Sequence, residues 1–340
     1  AQQMVDKGCL LPNDPSIMRQ LCNHLLSMDN LPVCRVASRN GHLDGRYVLG
    51  NQVFGKGERP IFCVDRKGTT PPVIEAALQP ILAVFALCVG NPLMLFCVSL
   101  AFAGPLLRWL KHPPFGFHLH GRSSTGKSIL MKLAQWIWVA SEVLPSWETT
   151  LAGFEALTSD HCDGFLPLDE ISRAPKGVIG PILYRFGNGQ GITTHHGVGE
   201  SIRTVILSNG ETTVETAIER NGGTYQAGHA VRLIDVPTAK FPIRNLHGFE
   251  NPGAFIEELA RRIAGHHGQA ISIFLSRLLA EGQESISAGF DDYRDAFLKK
   301  QSLPDRSGQQ RRVASCCSVV GYVGELATRD GLTGWDPGSA

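Results

Sequence analysis

The segment FGFHLHGRSSTGKS spans residues 115–128, and its last eight residues fit the pattern G-x-x-x-x-G-K-[ST] at every fixed position. The six residues before the pattern, Phe115 to His120, are typical of a short strand. Apolar residues at helical spacing follow the loop directly, at Ile129, Leu133, Trp136, Ile137 and Ala140. A strand, a glycine loop and a helix in this order predict an α/β fold with a P-loop NTPase core and a mostly parallel sheet.

This loop is predicted to bind the phosphates of ATP. Its glycines let backbone N–H groups close around phosphate oxygens, and the start of the helix adds its unpaired N–H groups and positive dipole end. Lys127 is expected to reach the β- and γ-phosphates, and the Ser128 hydroxyl to bind Mg²⁺. The predicted phosphate contacts are Gly121, Ser123, Ser124, Thr125, Gly126, Lys127 and Ser128. The alternative is a Gly/Ser-rich turn that precedes a helix by chance.

Two adjacent carboxylates follow the apolar run GFLPL at residues 164–168. In this position Asp169 is predicted to hold Mg²⁺, and Glu170 to polarise the water that attacks the γ-phosphate. Pro167 has no backbone N–H, so the strand is expected to be short or bulged there. The alternative is a solvent-exposed acidic pair after a loop.

A third strand is predicted at Ser201 to Leu207, a run rich in apolar and β-branched residues. It stops at a polar turn, where Asn209 or Ser208 is placed to sense the γ-phosphate. An ordinary Asn-Gly turn is the alternative, since this dipeptide is common in turns.

A fourth strand is predicted at Ala230 to Val236, and it carries Arg232. A charged residue among apolar strand neighbours needs a partner or a function. Arg232 is expected either to pair with Asp235 or lie at an exposed edge, or to project to a neighbouring subunit's γ-phosphate as an arginine finger.

Length and composition exclude a collagen-like protein, a disordered protein and a mini-protein. The 340 residues are 43% hydrophobic, and 32 Lys and Arg against 31 Asp and Glu leave a net charge of +1, so any contact with nucleic acid would need a local basic patch. The nine cysteines are scattered without a C-x-x-C pair, which favours reduced thiols and a cytoplasmic location. No secretory signal pattern opens the sequence.

The run Ala76 to Leu107 contains no Asp, Glu, Lys or Arg and is long enough to cross a membrane. Gly90-Asn91-Pro92 interrupts it, with Asn91 at a helix N-cap position, so we predict two buried helices and no membrane span. A helix near Met18 to Met28 and short strands around Val33 to Val36 and Tyr47 to Leu49 are predicted before this run. The expected division is an N-terminal α+β segment at 1–71, an ATPase core at 72–265 and a helical lid at 266–340.

The sequence resembles the bacterial domain-of-unknown-function family 927, found in helicase-like proteins of phages and mobile elements. The similarity rests on motifs along the chain: AFAGPLL, GFHLHGRSSTGKS, LDEI, GNGQG, ILSNGE, AGHAVRLIDVP, NLHGF and GELATRDGLTGW. The family resembles hexameric AAA+ replicative helicases of the minichromosome-maintenance and superfamily III groups. This implies a homo-oligomeric ring with ATP sites between subunits, single-stranded or forked DNA in the pore, and a primase-type domain or partner.

The resemblance also implies roles for individual residues. Arg232 resembles the trans-acting finger of these helicases, and Arg312 the sensor 2 arginine, with Arg311 as a substitute. Related helicases place a DNA-contacting hairpin between GNGQG and the sensor strand, and here its candidate DNA contacts are His195, His196 and Arg203. Ile192 stands where family members tend to carry Lys or Arg.

Three functions stay open on these observations. The first is an ATP-dependent DNA helicase or translocase, in replication of a mobile element or phage. The second is an AAA+ protein-remodelling or regulatory ATPase that DNA does not stimulate. The third is a nucleotide-binding scaffold without turnover.

Overall fold

The computed structural model describes residues 14–27, 35–37, 39–57, 61–63, 78–123, 126–139, 143–189, 203–238, 243–301 and 307–340. Their contacts divide the chain into two compact units, one of residues 1–36 with 58–62 and one of residues 37–57 with 63–340. The boundaries expected near residues 71 and 265 stay a prediction.

The described elements alternate between strands and helices through the middle of the chain. The strands are β1 (Arg35–Ala37), β2 (Gly41–Leu43), β3 (Arg46–Leu49), β4 (Gln52–Phe54), β5 (Ile61–Cys63), β6 (Phe115–His120), β7 (Gly164–Leu168), β8 (Thr204–Gly210) and β9 (Leu233–Pro237). The helices are α1 (Pro15–Leu26), α2 (Leu78–Ala86), α3 (Pro92–Ala101), α4 (Lys127–Trp136), α5 (Leu151–Asp160), α6 (Ile179–Asn188), α7 (Val214–Arg220), α8 (Ala227–Ala230), α9 (Pro252–Arg262), α10 (Gln269–Glu281), α11 (Gln283–Lys300) and α12 (Gly308–Arg329).

A four-stranded parallel sheet in the order β7-β8-β6-β9 forms the centre of the second unit. Alternate side chains of β7, β8 and β9 enter two hydrophobic cores, as expected for a sheet covered on both faces. On β8, Val205 and Leu207 enter a core shared with α2, α3 and α4, whereas Ile206 enters a core shared with α6 and α7. The fold is that of a P-loop NTPase core, as the order of strand, loop and helix predicts.

Strand β7 is regular through Pro167, contrary to the expected bulge. Its register with β8 runs unbroken from Gly164 opposite Thr204 to Leu168 opposite Ser208. The N–H of Asp169 donates to Pro145 O at 2.8 Å, on the side away from β8. Because every second residue of a strand points its backbone groups to the same side, the missing N–H of Pro167 also faces away from β8.

The apolar run splits into α2 and α3 at the predicted interruption. Asn91 occupies the N-cap position of α3, but its side chain makes no cap hydrogen bond. It is fully buried, and its Oδ1 accepts from the N–H groups of Arg244 and Asn245 while its Nδ2 donates to Leu87 O. No helix in the described part of the chain is both long enough and apolar enough to cross a membrane.

Strand β9 begins at Leu233, so Arg232 lies before the strand and not within it. The reason is local, because α8 occupies Ala227–Ala230 and ends in a turn at residues 231–232. A capping box between Gln226 and His229 starts that helix.

The N-terminal part of the second unit holds the antiparallel sheet β2-β3-β4. Its second turn is at Gly50-Asn51. The first turn uses Asp44 and Gly45, both with positive φ, which is the Asp-Gly hairpin signal.

Candidate functional site

The loop after β6 is shaped to receive an anion. Gly126 adopts a left-handed conformation (φ 84°) immediately before α4, a geometry that glycine adopts at little cost. Lys127 starts the helix with a side chain that is only 8% exposed, and its Nζ donates to the carbonyl oxygens of Gly121 and Arg122, both at 2.8 Å. The lysine ammonium and the helix N-terminus therefore lie at the same loop.

Two carboxylates act on this lysine. Burial lowers the pKa of Lys127, and the nearby charges of Glu211 and Glu170 oppose that shift. The strand register places the predicted acidic pair at the same edge of the sheet as the loop, since β6 and β7 both pair with the end of β8 and Gly121 N donates to Gly210 O at 3.3 Å. Glu211, directly after β8, has no role in the sequence prediction, although it ends the quoted motif ILSNGE.

The carboxamide of Asn209 joins the two predicted catalytic acids. Its Nδ2 donates to Asp169 Oδ1 at 2.9 Å, and its Oδ1 accepts from the backbone N–H of Glu170 at 2.6 Å. Asn209 is 3% exposed, so both bonds lie in a largely water-free position. Only an amide offers a donor and an acceptor in this arrangement, which explains the residue type at the end of β8.

Glu170 has an unusual backbone and a partnered side chain. Its φ is +53°, in the left-handed region that non-glycine residues rarely adopt. Its Oε1 accepts from the hydroxyl of Ser172 at 2.6 Å. The carboxylate is thereby held at the start of the short 3₁₀ helix Ile171–Arg173.

A buried hydrogen-bonded chain links β6, β8 and the segment before β7. His118 Nε2 lies 2.9 Å from Thr212 O, which can only accept, so this ring nitrogen carries the proton. His118 Nδ1 then accepts from the hydroxyl of Ser208 at 2.9 Å, and Ser208 Oγ accepts from Trp147 Nε1 at 2.8 Å. We call His118, Ser208 and Trp147 the polar relay. Sequence reasoning missed its role, because a buried His in a strand has no local signature.

The remaining predicted site residues lie in the loop, elsewhere in the fold, or outside the described residues. Ser123 lies in the loop and Ser128 in the first turn of α4, both exposed, and Arg312 is exposed in α12. Arg203 precedes β8 at the amino ends of the strands, away from the loop. Its carbonyl accepts from the N–H of Asp163. Ser124, Thr125, His195 and His196 lie outside the described residues.

Arg232 also lies at the amino ends of the parallel strands, whereas the loop lies at their carboxyl ends. Its carbonyl accepts from Gly116 N at 2.8 Å, at the beginning of β6. Its guanidinium contacts α6 and α8, while Asp235, the partner considered from the sequence, accepts from the N–H of Val214 at 3.1 Å.

Comparison with protein families identifies the chain. Residues 2–201, more than half of its length, match the family described as "Domain of unknown function (DUF927)". The chain belongs to the DUF927 family. No curated protein matches this DUF927 sequence.

Solved structures show the same fold in a larger protein. The structure described as "SCCmec type IV Cch - active helicase" matches at TM-score 0.73 and 17% identity, over 99% of this chain and 64% of that chain. This DUF927 chain therefore spans less than two thirds of the protein that it resembles. NtrX from Brucella abortus matches at TM-score 0.26 and 14% identity, over 66% of this chain and 47% of that one, and supports no argument.

Proposed function

We propose that this DUF927 protein hydrolyses ATP to ADP and phosphate and uses the free energy to move along DNA as a helicase. The main support is the Asn209 clamp, which holds Asp169 and Glu170 together beside the Lys127 loop. A site that only bound phosphate would not need a pair of adjacent acids beside the loop.

The donor set fits Mg²⁺ and ATP. The Ser128 hydroxyl and the Asp169 carboxylate are hard oxygen ligands, and Mg²⁺ is usually bound through one or two carboxylates together with substrate phosphates. Among the described residues, no group of three or more His, Cys, Asp and Glu could hold a metal by itself, which this mode of binding does not require. When bound, Mg²⁺ supplies neutralisation of phosphate charge.

Each residue of the site then has a distinct task. Lys127 exchanges its loop carbonyls for phosphate oxygens, and Asn209 fixes the geometry of the acids. Glu170 polarises the attacking water after its carboxylate leaves the Ser172 hydroxyl. Catalysis is therefore mostly positioning and charge stabilisation.

The DNA-dependent part of the proposal draws on the family and on the similar helicase. The position of β8 between the loop strand and the acidic strand agrees with an AAA+ ATPase, and a hexameric AAA+ ring would place ATP sites between subunits. Arg312 would act as sensor 2, and His195, His196 and Arg203 would contact single-stranded or forked DNA. A primase-type partner, a role in mobile-element replication and a cytoplasmic location belong to the same proposal.

The test is phosphate release with and without single-stranded DNA across a salt series, because phosphate contacts weaken as salt rises. We expect stimulation by DNA at low salt. Glu170→Gln should bind ATP but lose about 10²- to 10⁴-fold in turnover, the range for loss of a general base. Lys127→Ala should lose turnover, whereas the control Lys132→Ala, exposed on the same helix, should retain it.

Two outcomes would redirect the proposal. Turnover that DNA leaves unchanged would favour the remodelling ATPase, which the net charge of +1 also supports. Tight ATP binding without phosphate release would leave only the scaffold.

A further inference from the structure

The guanidinium of Arg232 is held by side chains of α6, whose last two residues begin the GNGQG motif. It lies over the ring of Tyr184, with 4.6 Å from the guanidinium carbon to the ring centroid. Its Nη2 donates to Asn188 Oδ1 at 3.2 Å, and its Nη1 donates to Gly228 O at 2.7 Å. Cation–π stacking with two directed hydrogen bonds fixes both the plane and the rotation of the group.

The space for this side chain depends on a missing methyl group. A Cβ added to Gly187 would lie 2.4 Å from the Cδ and Nε atoms of Arg232, far inside normal contact distance. Gly187 is within α6 and has no positive φ, so its backbone does not require glycine. The room that it leaves for Arg232 is therefore the physical reason for glycine here.

Arg232 is too far from its own phosphate loop to act there. Its carbonyl pairs with Gly116 at the start of β6, and it lies beside Phe115. The loop begins at Gly121, six residues further, which at about 3.3 Å per residue is about 20 Å. An arginine at this edge can assist hydrolysis only in a neighbouring copy of the chain.

We propose that Tyr184, Gly187 and Asn188 form an arginine cradle that positions Arg232 for the γ-phosphate of a neighbouring subunit. The inference rests on the proposed function, since it concerns the shared ATP site, and it assigns three positioning residues to that site. The cradle leaves Arg232 Nε buried without a hydrogen-bond partner among the described residues, so one donor of the guanidinium is not taken by the cradle.

The decisive variant is Gly187→Ala, with Gly180→Ala as its control. Both replace a glycine by alanine within α6, where alanine is the better helix former. At Gly180 the nearest atom to an added Cβ is His229 Nε2 at 3.4 Å, an ordinary contact. We expect Gly187→Ala to lose about 10²-fold in kcat, the cost of misplacing a catalytic group by about an ångström, with KM for ATP changed less than about twofold. Gly180→Ala should match the unmodified protein.

Mixed assemblies test whether the loss acts on the neighbour's site. Arg232→Ala subunits keep a complete phosphate loop, and Lys127→Ala subunits keep a finger, so their mixture should regain turnover. If Gly187→Ala misplaces the finger, it should regain turnover with Lys127→Ala and not with Arg232→Ala. A variant that is merely misfolded would regain none in either mixture.

A second pair covers the case in which Gly187→Ala does not assemble. Tyr184→Phe keeps the ring below the guanidinium and removes only the hydroxyl that donates to Gln226 Oε1 at 2.5 Å, whereas Tyr184→Leu removes the ring. We expect Tyr184→Phe to stay within about threefold of normal kcat and Tyr184→Leu to fall about as far as Gly187→Ala. Equal activity of the two Tyr184 variants overturns the cradle, as does full activity of Gly187→Ala. Full activity of Arg232→Ala instead overturns the shared ATP site of the proposed function.

Discussion

Asn209 shows how one side chain can set the geometry of a proposed catalytic centre. Its amide donates to Asp169 and accepts from the backbone of Glu170, so both acids take their positions from the end of β8. An alanine would leave these groups unpartnered, and an aspartate would keep the acceptor but place a second negative charge against Asp169.

We therefore expect Asn209→Ala and Asn209→Asp to lower kcat by about 10- to 100-fold, since a displaced acid costs orders of magnitude in rate. Asn209→Asp should have the lower kcat of the two in Mg²⁺-dependent ATP hydrolysis. The reason is that the new carboxylate and Asp169 disfavour each other's ionised form. Titration of kcat with ATP and with Mg²⁺ measures both effects. Normal kcat in Asn209→Ala would contradict the role of the clamp.

At this scale the sequence predicts residue types better than it predicts contacts. Lys127, Asp169, Glu170 and Asn209 follow from motif spacing, and the structure brings them to one edge of the sheet. The bond between Glu170 and Ser172 has no such signature, because it depends on a backbone conformation that spacing does not encode.

At the scale of elements, the polar relay connects strands that are far apart in the chain. It joins β6 through His118, β8 through Ser208 and the segment before β7 through Trp147, and all three side chains are fully buried. Each polar atom of the histidine ring has a partner, so the relay stabilises the sheet only while the ring is neutral.

The relay predicts a pH dependence of stability. Burial lowers the pKa of His118 to about 4, below the value of about 6.5 for an unfolded chain. The unfolded state thus binds more protons between these values, and stability falls as the pH drops from about 6.5 towards 4. Between pH 7 and pH 5 this group alone should cost about 2 kcal/mol. In urea unfolding, His118→Gln should lose that part of the pH dependence, and an unchanged dependence would contradict the assignment.

The sequence predicted the boundary of an element where helix-breaking residues interrupt an apolar run. It was less successful where no such residues are present. Gly90-Asn91-Pro92 separates α2 from α3 as predicted. The strand expected at Ala230 to Val236 was wrong at its start, because apolar residues alone cannot distinguish a short helix such as α8 from a strand. Asn91 occupies the predicted N-cap position, but its side chain bonds to Leu87 and to a loop about 150 residues away instead of to the N–H groups of the helix.

At the scale of the whole second unit, a buried aspartate ties the antiparallel sheet β2-β3-β4 to the P-loop NTPase core. Asp163, 1% exposed, accepts through Oδ2 from His42 N and from Arg108 Nε, both at 3.0 Å. Its carbonyl accepts from the Tyr47 hydroxyl at 2.7 Å. The start of β7 is thus held by residues more than 50 and more than 110 positions earlier in the chain.

We expect Asp163→Ala to lower the free energy of unfolding by about 2–4 kcal/mol, because it leaves a partly buried arginine and a buried N–H without their acceptor. The control is Glu155→Ala, which breaks the ion pair with Arg185, a side chain 48% exposed. That change should cost about 0–1 kcal/mol, the range for surface pairs. Equal losses in urea unfolding would show that Asp163 has no special place in the fold.

Pro167 has a further consequence for the behaviour of the protein in concentrated solution. Strand β7 is one of the two outer strands of the described parallel sheet, and an exposed outer strand is a template on which other chains can aggregate. The proline removes a donor from that rim, and the segment at Pro145 and Trp147 already occupies the groups of Asp169. A foreign strand therefore finds no continuous row of partners, and the rim resists growth into fibrils.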